Sequence, residues 1–267
     1  MSRTTVRPFS GLPTVPRFTS LRATLAFAIA AVLAGPAAGQ MITEVVFDHA
    51  GTDTHEFIEV YASPGASLAS YTLVELDGAA GGDPGKILHV FTPTTANDAG
   101  FWSTGYLTST LERPAFTVLL VSGFTGTVGQ DLDLEDDGVL DVTPWSSVLD
   151  GVAFSDGSAG SRTYDAPALG PAFDGGATAP GGASRFPYWR DTNATTDWKR
   201  NDFDGDGLPG FAGSLAPGEA RNTPGSVTRV SVADYWAAVD TSTPSALRTT
   251  VHAAIENHVR FPYSAGT

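Results

Sequence analysis

The sequence predicts a mainly β protein built as a sandwich of antiparallel sheets, and three observations carry that expectation. Short segments alternate apolar and polar residues with period two, as half-buried strands do. Gly (30 residues) and Pro (18) together approach a fifth of the 267 residues, which suits a turn-rich all-β chain better than a helical one. Hydrophobic residues at 42% against charged residues at 16% give a globular composition, and a chain this long can bury a core without staples.

The first element is an address. Arg3, Arg7, Arg17 and Arg22 form a positive start with no Asp or Glu through residue 39. An apolar run at 25–34 follows, too short for a spanning helix, which needs about 20 residues. Small residues at 35–39 complete the pattern of a secretory signal peptide over 1–39. Cleavage near Ala38 or Gly39 is expected, and with it a secreted or cell-envelope location. No later segment is apolar enough to span a membrane.

Strand patterns begin at Met41. Ile42, Glu44 and Val46 are predicted to face one way, and Thr43, Val45 and Phe47 the other. After a polar turn, residues 56–61 place Ile58 and Val60 on one face and Phe57, Glu59 and Tyr61 on the opposite one. Residues 71–76 and 87–91 are the next strands. Residues 116–121 (Phe-Thr-Val-Leu-Leu-Val) are almost continuously apolar and predict a central strand. Residues 148–154 complete the clear set. From 155 to 228 the chain is rich in Gly, Pro, Ser, Asp and Thr and predicts loops with short edge strands. Trp189, Trp198 and Phe211 in that stretch call for burial. The last forty residues change period: Leu247, Val251, Ala254 and Ile255 recur at helical spacing behind Ser242, Thr243 and Pro244, which suit a helix start.

Charge narrows the function classes. The net charge is −14, and the residues after 39 hold 11 basic against 29 acidic residues, a net of −18, with Lys86 and Lys199 as the only lysines. Such a surface repels phosphate backbones. There is no cysteine, which excludes thiol chemistry, Cys zinc sites and disulfides.

Two acidic stretches are candidate calcium loops. Asp202, Asp204 and Asp206, interleaved with Gly205 and Gly207, resemble the start of a loop whose oxygens converge on one hard cation. The twelfth position is Gly213 instead of a bidentate Glu, and Glu219 can substitute only with a different loop shape. Asp131, Asp133 and Asp137 lie in a run with Glu135, Asp136 and Gly138, and Asp141 follows. The same residue types also build solvated turns, so both stretches stay open between Ca²⁺ and a surface loop. Gly205 to Gly210 matches G-x-G-x-x-G, but Asp202 and Asp204 precede it, Pro209 lies within it and no helical pattern follows, so nucleotide binding is excluded. No G-x-S-x-G or H-E-x-x-H is present. His49 and His55 flank a loop with Asp48 and Asp53, a pattern open to a metal cluster or to a polar strand-to-strand turn. His252 and His258 are six apart, on different faces of the late helix.

Two family resemblances rest on these residues. Residues 41–46 followed by 56–61 resemble the opening of a lamin tail domain, with support from 131–138, from 148–153, and from Asn222, Thr223, Pro224 and Gly225. The match covers about 41–228 and implies an immunoglobulin-like sandwich, a fold and not an activity. Residues 233–236, Leu247-Arg248, Val251-His252, Ile255 and 258–263 resemble the N-terminal start of the endonuclease I family of extracellular nucleases. That family uses a divalent ion, Mg²⁺ or Ca²⁺, in a region farther downstream, so no catalytic residue is carried over. The resulting expectation is a signal peptide at 1–39, a lamin-tail-like sandwich at 41–228, and the helical start of a truncated nuclease domain at 229–267. The chain itself would be non-catalytic, with nucleic acid reached only through the missing catalytic part. The sandwich would position the enzyme or bind a surface or protein ligand. The rival expectation is a calcium-binding adhesion or surface-display module.

Overall fold

A computed structural model describes residues 39–111, 115–231 and Asp234. The predicted signal peptide, apart from Gly39, and the predicted C-terminal helix with His252 and His258 lie outside the described residues. What is described is mainly β, with a single 3-10 turn at Thr195–Asp197 and one helical residue, Asp234.

Two five-stranded sheets dominate. The first contains β1 (Met41–Val46), β2 (Phe57–Tyr61), β5 (Phe101–Ser103), β9 (Gly182–Arg185) and β10 (Trp198–Arg200), in the order β10-β9-β1-β2-β5. The second contains β3 (Tyr71–Asp77), β4 (Ile87–Phe91), β6 (Phe116–Ser122), β7 (Ser147–Phe154) and β8 (Ala168–Leu169), in the order β4-β3-β6-β7-β8. A small ribbon pairs β11 (Ala220–Arg221) with β12 (Arg229–Val230). All pairings are antiparallel except β7 with β8.

One hydrophobic core joins the sheets, as in a β-sandwich. Ile42, Val45, Ile58, Val60 and Ala183 from the first sheet meet Leu73, Phe116, Val118, Leu120, Val152 and Phe154 from the second. Phe47 packs edge-on against Phe116 and Phe154 at 4.9 and 4.8 Å. Each such side chain contributes about 1.5–3 kcal/mol by leaving water.

The apolar run of β6 has a direct cause. Phe116, Val118 and Leu120 face the inter-sheet core, while Leu119 and Val121 enter a second core with Val74, Leu76, Ile87, Leu132 and Tyr164. Both faces of this strand are covered, so alternation gives way to continuous burial, and β6 lies at the centre of its sheet as expected.

The faces of β1 differ from simple alternation. A bulge lies between Ile42 and Glu44. The extra residue, Thr43, resets the phase, so Ile42 joins Val45 and Phe47 in the core. Glu44 and Val46 remain on the outer face, where Val46 packs with Phe57 and Leu208. For β2 the predicted faces hold. Residues 155–228 form loops and short strands, but not all of these are edge strands as expected: β9 lies inside its sheet, between β10 and β1. Trp198 is buried in this stretch and Phe211 half-buried, but Trp189 is 56% exposed, with Tyr188 edge-on beside it at 5.0 Å.

Candidate functional site

The outer face of the first sheet carries a buried polar cluster. Glu44 of β1 and Glu59 of β2 are opposite partners in the ladder, and both side chains are fully buried. The segment 222–225 lies over them. The Thr223 N–H donates to both Glu44 oxygens at 3.0 and 3.2 Å, and the Thr223 hydroxyl donates to Oε2 at 3.0 Å. The Gly225 N–H donates to Glu59 Oε2 at 2.6 Å, and Thr43 Oγ1 donates to Oε1 at 2.7 Å.

Asn201 ties this cluster together. Its Nδ2 donates to Glu44 Oε1 at 2.7 Å and to Asn222 Oδ1 at 2.9 Å, while Ser184 Oγ donates to its Oδ1 at 2.7 Å. Like charges directly opposite in a ladder repel. Burial pushes the Glu44 carboxyl up to about 7, against the hydrogen bonds from Thr223 and Asn201. Burial, and then the charge of Glu44, pushes Glu59 well above the usual carboxylate range.

Asn222 links the cluster to the first predicted loop. Its Nδ2 donates to the carbonyls of Asp202 and Asp206, both at 3.0 Å. Asp202 is almost fully buried, and its Oδ1 accepts the Asp206 N–H at 2.9 Å. Asp204 is exposed, and Asp206 lies 3.5 Å from Arg221 Nε. Gly213 passes so close that a Cβ there would sit 2.5 Å from the Asp206 nitrogen and 2.8 Å from the Asp204 carbonyl oxygen. The twelfth position therefore has no room for a side chain. The Glu219 carboxyl lies against Asp202, and its pKa is raised by burial, then by the Asp202 charge.

The second predicted loop is organised around Asp133. This carboxylate is fully buried and accepts N–H bonds from Asp137 at 3.1 Å and Gly138 at 2.8 Å, and the Tyr164 hydroxyl at 2.8 Å. Asp131 Oδ1 accepts the Asp133 N–H at 3.1 Å, and the exposed Asp137 accepts from Val139 at 2.8 Å. These carboxylates stand in for the backbone partners that a loop lacks. Among the described residues no group of three or more His, Asp or Glu side chains forms a ready metal cage.

Other polar anchors emerge only in three dimensions. Arg185 is fully buried: Nε donates to the Ile42 carbonyl at 2.8 Å, Nη2 to Asp150 Oδ1 at 2.6 Å, and Nη1 to Asp191 at 3.1 Å. Its guanidinium lies 4.6 Å from the Trp198 ring centroid. Asp150 Oδ2 accepts the Ile42 N–H at 2.7 Å, so one ion pair rivets β7 to β1 and β9. His49 is buried and its Nε2 accepts the Thr54 and His55 N–H groups, both at 3.2 Å, which gives it a turn-forming role. Sequence reasoning missed Glu44, Glu59, Asp150 and Arg185. The available signal was acidic and basic residues inside strands, and it becomes specific only when a covering layer is known.

The described cleft bounded by Phe47, Asp48, Phe154, Asp156 and Pro180 encloses about 130 Å³, short of the roughly 300 Å³ at which small-molecule sites begin. The buried carboxylates of Glu44, Glu59 and Asp133 act as acceptors of backbone N–H groups. Comparison with protein families, curated proteins and solved structures returned no match.

Proposed function

We propose that the chain is the non-catalytic N-terminal portion of an exported endonuclease I-like nuclease. Residues 41–228 serve as a lamin-tail-like, immunoglobulin-like sandwich that positions a C-terminal catalytic part or binds a surface. The supporting observation is the grip on the C-terminal exit. Glu44 and Glu59 hold 223–225, β12 pairs back onto β11, and Asp234 accepts the Gly218 N–H at 3.0 Å while its own N–H donates to Ser231 Oγ at 3.1 Å. These contacts tie Asp234 to the sandwich next to the stretch whose sequence resembles the nuclease family. In the full protein, Mg²⁺ or Ca²⁺ would stabilise charge at phosphorus during phosphodiester hydrolysis.

Plasmid nicking assays test this. Residues 40–267 are expected to leave supercoiled DNA intact with Mg²⁺ or Ca²⁺. The product of the gene read past codon 267 is expected to nick it with metal and to stop with chelator. Nicking by residues 40–267, or an extended product lacking metal-dependent nicking, refutes the proposal.

A second reading, a calcium-binding adhesion or display module, is favoured by the contact between the carboxyls of Asp202 and Glu219. A divalent cation would relieve that repulsion, with Asp204 and backbone carbonyls completing an oxygen shell. Calcium at a hundred times its Kd would raise stability by about 2.7 kcal/mol. Absence of both heat in a calcium titration and a shift in melting temperature sinks this alternative.

A further inference from the structure

We propose that the facing carboxyls of Glu44 and Glu59 form a proton-operated latch on the C-terminal strap, closed while the pair keeps a proton and loosened when both ionise. This goes beyond the nuclease and adhesion readings and stands on the described sandwich, whatever the strap carries.

Three observations converge. The two residues are opposite one another on β1 and β2, fully buried, and among the described residues neither forms an ion pair with Lys, Arg or His. The strap itself makes the cover: Thr223 and Gly225 donate to the two carboxyls, and Asn97 Nδ2 holds the Gly225 carbonyl at 2.9 Å. Lifting the strap hydrates both carboxyls at once, so their charge state and its position are linked.

The surrounding groups leave the pair as the principal titrating element. From β1, β9 and β10 come the neutral groups of Thr43, Ser184 and Asn201. On β10, Lys199 faces Asp234 and Arg200 is bound to Asp174. The carboxylates of Asp202 and Asp206 engage the Asp206 N–H, Glu219 and Arg221. Tyr106 feels the Glu44 charge, and its phenol is pushed up by burial and then by that charge.

The sign follows from burial. Donors aimed at the carboxyls favour ionisation, but full burial and the facing of two like charges oppose it, and the Glu44 carboxyl is pushed up to about 7 with the strap in place. A folded pKa above the released value means that the stabilisation is complete below about 4.5 and is lost as pH rises through about 7. The opening equilibrium of the strap should therefore increase on the order of 50-fold between pH 5 and pH 8.

Amide hydrogen exchange on the exported full chain tests the latch, read as protection relative to intrinsic exchange. Protection at Thr223 and Gly225 should fall on the order of 50-fold from pH 5 to pH 8, while Val118 and Leu119 in β6 stay level. The Glu44→Gln and Glu59→Gln double variant should lose most of that pH dependence. Protection that is flat or rises with pH, or a double variant that keeps the wild-type fall, overturns the proposal. Should the double variant not fold, the wild-type carboxyl carbons decide by NMR titration. A midpoint above the ordinary glutamate value for the pair supports the latch, and midpoints at or below it refute it.

Discussion

Replacing Arg185 with Met should produce the largest single loss of stability tied to a polar group, and its size can be worked from the contacts. The guanidinium is fully buried and is the cationic partner of Asp150, whose side chain is also fully buried. Removing one member of a buried pair costs about 3–5 kcal/mol, because the other charge stays behind uncompensated. One kcal/mol moves the midpoint of a domain of this size by about 2–4 °C, so the melting temperature should fall by roughly 6–20 °C. The loss should also depend on pH. Burial pushes the Asp150 carboxyl up to about 6 even with Arg185 beside it, and the substitution raises it further. A raised folded pKa places the stabilising side below the unfolded value and the loss above it, so the deficit should be larger at pH 8 than at pH 5. Calorimetric melting at both pH values measures this. The double variant Arg185→Met with Asp150→Asn, which keeps an oxygen for the Ile42 N–H, should recover about half of the pH 8 deficit. A drop below about 3 °C, or a deficit independent of pH, would refute the assignment of Arg185 as a charge-compensating rivet.

Four further substitutions probe the remaining elements. Tyr164→Phe takes a donor from buried Asp133 and should cost about 1–3 kcal/mol in urea denaturation; a neutral result would mean that the hydroxyl does not hold the loop. Gly213→Glu restores the acidic residue at the twelfth loop position, yet its Cβ would collide with the Asp206 nitrogen. Calorimetric titration should therefore show calcium binding no tighter than wild type, and tighter binding would contradict the loop geometry. Gly207→Ala places a Cβ 2.0 Å from the Asn222 carbonyl oxygen at a φ of +97°. It should lower stability by about 1–3 kcal/mol in thermal melts, and an unchanged midpoint would rule out that close approach. Leu120→Ala opens a cavity in the inter-sheet core and should cost about 2–5 kcal/mol by denaturant titration; a loss under 1 kcal/mol would place Leu120 outside the core.

Much of the fold was legible because periodicity reports burial directly. The alternation in 56–61 marked the core face of β2, and the continuous apolar run of 116–121 marked a strand covered on both sides. The acidic loops were legible as composition, but their internal roles were not. Asp133 and Asp137 look equivalent in the sequence, yet one is buried at the centre of three hydrogen bonds and the other is exposed. Asp202 and Asp204 divide in the same way. Trp189 shows the converse, since its size called for burial and the chain left it in solvent.

The sequence by itself determined the mainly β class, the positions of the long strands, the central place of β6 and the turn-rich character of 155–228. These follow from interactions between near neighbours and from the pattern of apolar residues along each strand. Tertiary structure alone decided the phase reset at Thr43, the facing of Glu44 and Glu59, the Arg185–Asp150 rivet and the approach of Glu219 to Asp202. Each of these depends on segments far apart in the chain: the Thr223 amide reaches Glu44 across 179 positions, and Arg185 reaches Ile42 across 143. Local pattern fixes which face of a strand is apolar, and only the path of the returning chain fixes whether a polar group on the other face meets water or another carboxyl.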